Sequence, residues 1–175
     1  MVYMFLGDGF EEIEAVAVID ILRRCGVALK TVSVMGNTEA LGAHGIRVRT
    51  DAMIEDITDD AQMYILPGGT LGVENLSKSK KLCDILSATD AKIAAICAAP
   101  TLLASLGLLD GKKAVCYPSL ISELKDAVVA DGCVVIDGNF ITSKGPGTSF
   151  DFGFALAYAL CDKTTVDKVK NGMLI

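Results

Sequence analysis

Apolar residues along the chain come in short blocks. Val2-Tyr3-Met4-Phe5-Leu6, Ala28 to Val34, Met63 to Leu66 and Ile93 to Ile96 are of strand length, with neither helical nor alternating period. Strands buried on both faces have this pattern. Helical stretches separate them. Glu11 to Cys25 is closed by Gly26, and Ser77 caps a helix to about Ser87. Pro100 opens Thr101 to Leu106, which Gly107 stops, and Gly145-Pro146-Gly147-Thr148-Ser149 opens Phe150 to Leu160. A short strand, Ala114-Val115-Cys116, leads into Tyr117-Pro118 and a short helix around Ser119 to Leu124. Asp137-Gly138-Asn139 is a hairpin turn between Cys133 to Ile136 and Phe140 to Thr142. Gly36 to Thr50 forms a hairpin excursion with Gly42-Ala43-His44-Gly45 at its tip. Asp51 to Ala61 is an irregular acidic connection anchored by Ile54 and Ile57, and a short amphipathic segment closes the chain.

Strands alternating with helices predict one α/β domain over residues 1–175. Its mostly parallel sheet is wrapped on both faces, with a small antiparallel excursion. Ligands in such sheets sit at the carboxyl ends of the strands. Gly7 to Glu14, Pro67 to Gly72, Cys97 and Tyr117 all follow strand ends and are expected to converge on one pocket.

The first helix has an unusual distribution of charge. Glu14 begins an apolar stripe continued by Val18, Ile21 and Cys25, while Ile13, Val16, Ala17 and Ile19 make the other faces apolar too. A helix apolar nearly all round must be covered on both sides. The sheet covers one side, and a second copy of the chain is the simplest cover for the other. A carboxyl on such a helix is expected to be desolvated, with its pKa raised; the alternative is a Glu14 that reaches water from the helix edge.

Composition narrows the function classes. Of 175 residues, 51% are hydrophobic and 22% charged, which describes a globular chain, and the net charge of −6 disfavours a nucleic-acid partner. No apolar run has the length of a membrane span. The first residues lack the basic flank and cleavage site of a signal peptide. The six cysteines are never closer than 14 residues apart and there is one histidine, so neither a structural zinc site nor a disulfide framework is expected. Reduced thiols and no export signal make the cytoplasm the expected compartment. Gly7-Asp8-Gly9 ends the first strand as a dinucleotide loop does, but Asp8, Glu11, Glu12 and Glu14 crowd the place a pyrophosphate would occupy.

Two stretches carry candidate chemistry. In Ala94-Ala95-Ile96-Cys97-Ala98-Ala99-Pro100 a buried strand turns sharply into a helix, with Cys97 at the turn. Nucleophile elbows are built this way, and a helix N-terminus favours thiolate. The stretch alone is equally compatible with a small, inert, buried cysteine. Pro67-Gly68-Gly69-Thr70-Leu71-Gly72 is the most glycine-dense segment, where backbone N–H groups can form an oxyanion site or a plain tight turn. Convergence at the strand ends favours the functional alternative for Cys97 and Glu14.

Four segments together resemble the ThiJ/PfpI superfamily, and within it the DJ-one branch, that of the Parkinsonism-associated deglycase. They are Gly9-Phe10-Glu11-Glu12-Ile13-Glu14, Leu66 to Gly72, Ala94 to Pro100 and Gly145 to Phe150, in the family's order over nearly the whole chain. The resemblance implies a flavodoxin-like three-layer sandwich, usually a homodimer. It also implies that Cys97 matches an oxidation-prone nucleophile and Glu14 the protonated carboxyl that hydrogen-bonds its thiolate. Gly69 and Ala98 match the backbone N–H donors beside it. Gly68 and Tyr117 fall at the same site, and His44 matches a loop position that family dimers bring near the partner's pocket. Two departures stand out. Tyr117 replaces a histidine of the branch, and Ala98 replaces the histidine of the protease-like members, which removes the general base of a peptidase.

Two functions follow from the resemblance. One is a cofactor-independent glyoxalase or deglycase acting on small α-oxoaldehydes such as methylglyoxal or glyoxal. The other is a redox sensor or stress chaperone that uses oxidation of Cys97 to sulfinate.

Overall fold

The structure, a computed structural model, describes residues 1–58 and 60–175. Its strands are β1 (Val2–Leu6), β2 (Leu29–Ser33), β3 (Glu39–Leu41), β4 (Arg47–Arg49), β5 (Ala52–Met53), β6 (Met63–Leu66), β7 (Lys92–Ile96), β8 (Lys113–Ala114), β9 (Val128–Val129), β10 (Val134–Asp137) and β11 (Phe140–Ser143). The helices are α1 (Glu12–Arg24), α2 (Thr70–Lys78), α3 (Lys80–Ala88), α4 (Ala99–Ser105), α5 (Ser149–Leu160) and α6 (Lys163–Gly172).

The main sheet has seven strands in the order β10-β11-β7-β6-β1-β2-β5. All neighbours are parallel except β10 and β11, the hairpin at one edge. β1 is buried throughout because it faces helices on both sides. Val2, Met4 and Leu6 pack toward α1, α5 and α6, and Tyr3 and Phe5 toward α2, α3 and α4. The expected three-layer, flavodoxin-like sandwich is therefore present, and the excursion at residues 36–50 is the antiparallel pair β3–β4.

The chain order creates one topological switch. From β1 the chain moves to β2 and β5 on one side, then returns to place β6 on the other. The carboxyl ends of β1 and β6 therefore diverge into α1 and α2, which leaves a crevice where a flavodoxin-like sheet takes its ligand.

Three local expectations need correction. Ser77 lies inside α2, and the side chain that caps the next helix is Ser79, which accepts from the Leu82 N–H at 3.4 Å. Residues 52–53 of the acidic connection form an edge strand paired with Val32 and Ser33, although Ile54 and Ile57 are the buried anchors expected. Asp59, in the same connection, lies outside the described residues. The strand before Tyr117 is only Lys113–Ala114 and pairs with β9 in a separate small sheet. Tyr117 still reaches the main sheet, because its N–H donates to the Cys97 carbonyl at 2.8 Å.

Candidate active site

Four loops at the carboxyl ends of the strands meet around Cys97. The cysteine follows β7 directly, and its backbone has φ +63°, a conformation that costs an L-residue about 1–2 kcal/mol. The turn is held on both sides: the Cys97 N–H donates to the Ser143 carbonyl at 3.0 Å, and its own carbonyl accepts from Tyr117. Pro100 sits in the first turn of α4, where its missing N–H costs nothing. The side chain is partly exposed at the cleft floor.

Glu14 reaches this point from α1 and is fully buried. Its Oε2 accepts the Gly68 N–H at 2.6 Å, while Oε1 meets no conventional donor. The remaining neighbour of the carboxyl is the Cys97 thiol, with which it hydrogen-bonds. Burial raises the Glu14 pKa from 4.5 to about 7, against the pull of the Gly68 and Cys97 hydrogen bonds. Position 68 has no room for a side chain. A Cβ there would lie 2.6 Å from both the Cys97 Cβ and the Glu14 Oε2, and 3.0 Å from the Ile96 carbonyl.

The thiol does not have the lowered pKa expected from a helix N-terminus. Burial pushes it up to about 12, and the charge and hydrogen bond of ionised Glu14 add to the rise. The N–H groups of Gly69 and Ala98 donate toward the sulfur and pull the other way without prevailing. α4 spans only Ala99–Ser105, so its dipole is too small to overcome desolvation and a carboxylate. The two groups compete for one proton: an ionised Glu14 keeps the proton on sulfur, and a protonated Glu14 can donate to a thiolate.

Above the pair lies a cleft of about 450 Å³ bounded by Ala43, His44, Gly69, Thr70, Tyr117 and Pro146, among others. His44 enters from the β3–β4 tip of the same chain. Buried Glu12 fixes that tip: its Oε1 accepts the His44 N–H at 2.8 Å, and its Oε2 lies 2.9 Å from the His44 Nδ1. The hydrogen bond accepted by Glu12, reinforced by the charge of Glu11, raises the pKa of the exposed imidazole. Glu11, Glu12 and His44 also bring ligand atoms within 4.8 Å of one another, the spacing of a metal site. Both oxygens of Glu12 are already engaged with His44, which makes the trio a latch for the loop.

A family model described as the DJ-1/PfpI family matches residues 1–159. The chain belongs to that family. It is 34% identical to protein dj-1beta of Drosophila melanogaster over 178 residues, covering 98% of this chain and 95% of the relative. It is 32% identical to the Parkinson disease protein 7 homolog of Danio rerio over 184 residues, with the same coverage of 98% and 95%. Among solved structures, the oxidised DJ-1 of Toxoplasma gondii superposes with a TM-score of 0.91 at 32% identity, covering 99% of this chain and 97% of that one.

Within this DJ-1/PfpI fold, every residue singled out from sequence reaches the switch-point crevice: Cys97, Glu14, Gly68, Gly69, Ala98, Tyr117 and His44. Sequence reasoning assigned Glu12 no function, because an acid in the first turn of a helix is explained by the helix dipole. Its partner His44 is 32 residues away, and nothing local links the two. Ser119 and Leu120 also line the cleft and carried no signal.

Replacing Gly68 by Ala tests how tightly the pair is built. The added methyl has no room between Cys97 and Glu14, so the variant is expected to lose about 1–3 kcal/mol in chemical denaturation and most of the reactivity of Cys97 toward a thiol reagent. Wild-type stability together with wild-type Cys97 reactivity would contradict the geometry described.

Proposed function

We propose that this chain is a cofactor-independent glyoxalase or deglycase acting on small α-oxoaldehydes or their adducts. Membership of the DJ-1/PfpI family supports a DJ-1-type role in stress response, and the family includes enzymes of this kind. The observation that carries the finer proposal is the buried Glu14 carboxyl, held by the Gly68 N–H beside a cysteine at the floor of a cleft. A proton-transfer group with pKa about 7 is matched to work near neutrality.

The chemistry follows from the pair. The Cys97 sulfur adds to the aldehyde carbon while its proton passes to the Glu14 carboxylate, which hands that proton to the new alkoxide oxygen to give a hemithioacetal and is a carboxylate again. Carboxylate Glu14 then removes the C1 proton and returns it to C2 while the hydroxyl proton passes from the C1 oxygen to the C2 oxygen, which converts the hemithioacetal into a 2-hydroxy thioester. Water hydrolyses the thioester, releasing the hydroxy acid and the thiol. The Gly69 and Ala98 N–H groups donate toward the sulfur and are suited to support negative charge developing beside it. His44 and Tyr117, on the cleft wall, are assigned to substrate binding.

A redox-sensing role for Cys97 is the second proposal. A protonated Glu14 is a hydrogen-bond donor for a sulfinate, and one similar structure is of an oxidised DJ-1. The two proposals part at Glu14, because turnover requires a group that moves protons whereas sulfinate needs only a donor, which Gln also supplies.

With methylglyoxal as substrate, Cys97→Ser is expected to abolish turnover, and Glu14→Gln to lower kcat by about 10²–10⁴-fold while Cys97 still oxidises under mild peroxide. The base form of Glu14 accepts the proton, so wild-type kcat should rise with pH through about 7. Undiminished turnover in Glu14→Gln would remove the proton shuttle. No wild-type turnover on any small α-oxoaldehyde, with Cys97 still oxidising selectively, would leave the sensor.

We further propose that the protein is a homodimer through α1. Ile13 and Val16 stand 54% and 48% exposed on the helix whose opposite face carries Glu14, and such a face calls for a cover. Sedimentation at micromolar concentration should give twice the 18.4 kDa chain mass, and Val16→Glu should shift it to monomer. A monomeric wild type would overturn the assignment.

A further inference from the structure

Helices α1 and α5 pack side by side and end at the same level, with Cys25 in the C-terminal cap of the first and Cys161 in that of the second. The Cys161 Sγ points at the Cys25 carbonyl at 3.9 Å, bringing together two cysteines 136 residues apart in the chain. Both backbones are fixed by helical hydrogen bonds, Cys25 to the Ile21 carbonyl at 3.1 Å and Cys161 to the Ala157 carbonyl at 2.8 Å. Cys25 feels the Cys161 sulfur, whereas the charged neighbours of Cys97 and Cys116 are carboxylates and those of Cys83 are Asp84 and Lys80. Cys25 is buried and Cys161 partly exposed, so a reagent in solution meets Cys161 first.

We propose that Cys25 and Cys161 are a redox-active pair that closes to an intramolecular disulfide by exchange with a small disulfide of the glutathione type. The Cys161 thiolate attacks one sulfur of the reagent and expels the first thiolate, forming a mixed disulfide. The Cys25 thiolate attacks the Cys161 sulfur and expels the second. The protein loses two protons and two electrons, and the reagent is reduced to two thiols. Burial and, for Cys161, the adjoining Asp162 raise both thiol pKa values, so the exchange is slow at neutral pH and quickens as pH rises. The bond ties the helix carrying Glu14 to its neighbour in the same layer and closes a very long loop, which restricts the unfolded chain.

The test exposes the reduced protein to oxidised glutathione at pH 8, followed by peptide mass mapping without reduction and by thermal melting. The expected product joins the Cys25 and Cys161 peptides, with a Tm about 5 °C or more above that of the reduced protein. Cys161→Ser and Cys25→Ala should each lose the crosslink and the shift, while Cys133→Ser, which removes an exposed thiol, should keep both. Three outcomes would overturn the proposal: glutathione retained on Cys161 with Cys25 free, a crosslink that forms only in denaturant, or a crosslinked protein that melts below the reduced one.

Discussion

The hydrogen bond from the Gly68 N–H to the Glu14 Oε2, at 2.6 Å, fixes the rest of the site. It joins the loop after β6 to the helix after β1 across the switch point of the sheet. The Glu11 N–H donates back to the Gly68 carbonyl at 3.0 Å, so the two loops grip each other twice. The grip holds a carboxyl out of water against a thiol, and holding it there has a pH signature. Between about 4.5 and about 7 the native chain binds more protons at Glu14 than the unfolded chain, so this group's contribution to stability falls as pH rises through that window. Above it the protein carries a buried, half-paired charge.

Close backbone packing makes the grip possible. A Cβ on Gly69 would lie 2.2 Å from the Gly9 carbonyl oxygen, and one on Gly72 would lie 2.8 Å from the backbone of Phe10. Gly69 also has φ +90°, which an L-residue rarely adopts. The glycine-dense loop is therefore a packing element against the loop after β1 as much as a source of N–H donors. Glu12 extends the same logic outward: it carries the β3–β4 tip, and with it His44, to the mouth of the cleft. One helix start thus supplies the buried carboxyl at the floor and the clamp on the wall.

Much of this was legible in the sequence because the central strands are buried on both faces and read as continuous apolar blocks. Cys97 and Glu14 were legible because one sits at a strand-to-helix turn and the other is an acid at the head of an apolar stripe. Thr70–Lys78 was not read as a helix because Gly69 and Gly72 mark its start as a turn. Ser77 was read as the cap because the break between α2 and α3, which makes Ser79 the cap, depends on packing. Edge strand β5 has only two residues, too few for a period. That β8 pairs outside the main sheet is a property of strand partners, which no local pattern encodes. The Cys97 pKa was misjudged for a related reason: a helix start is visible in sequence, whereas the depth of burial and the charge of a residue 83 positions away are not.

The central claim is that Glu14 is a buried carboxyl coupled to the Cys97 thiol and titrating near neutrality. Its most direct test is the pH titration of the Glu14 side-chain carboxyl carbon by ¹³C NMR, in wild type and in Cys97→Ala. The predicted wild-type midpoint is about 7. It should move higher in Cys97→Ala, because the thiol hydrogen bond that lowers it is gone. A midpoint near 4.5, the value of an ordinary glutamate, unchanged by removing the thiol, would contradict the account.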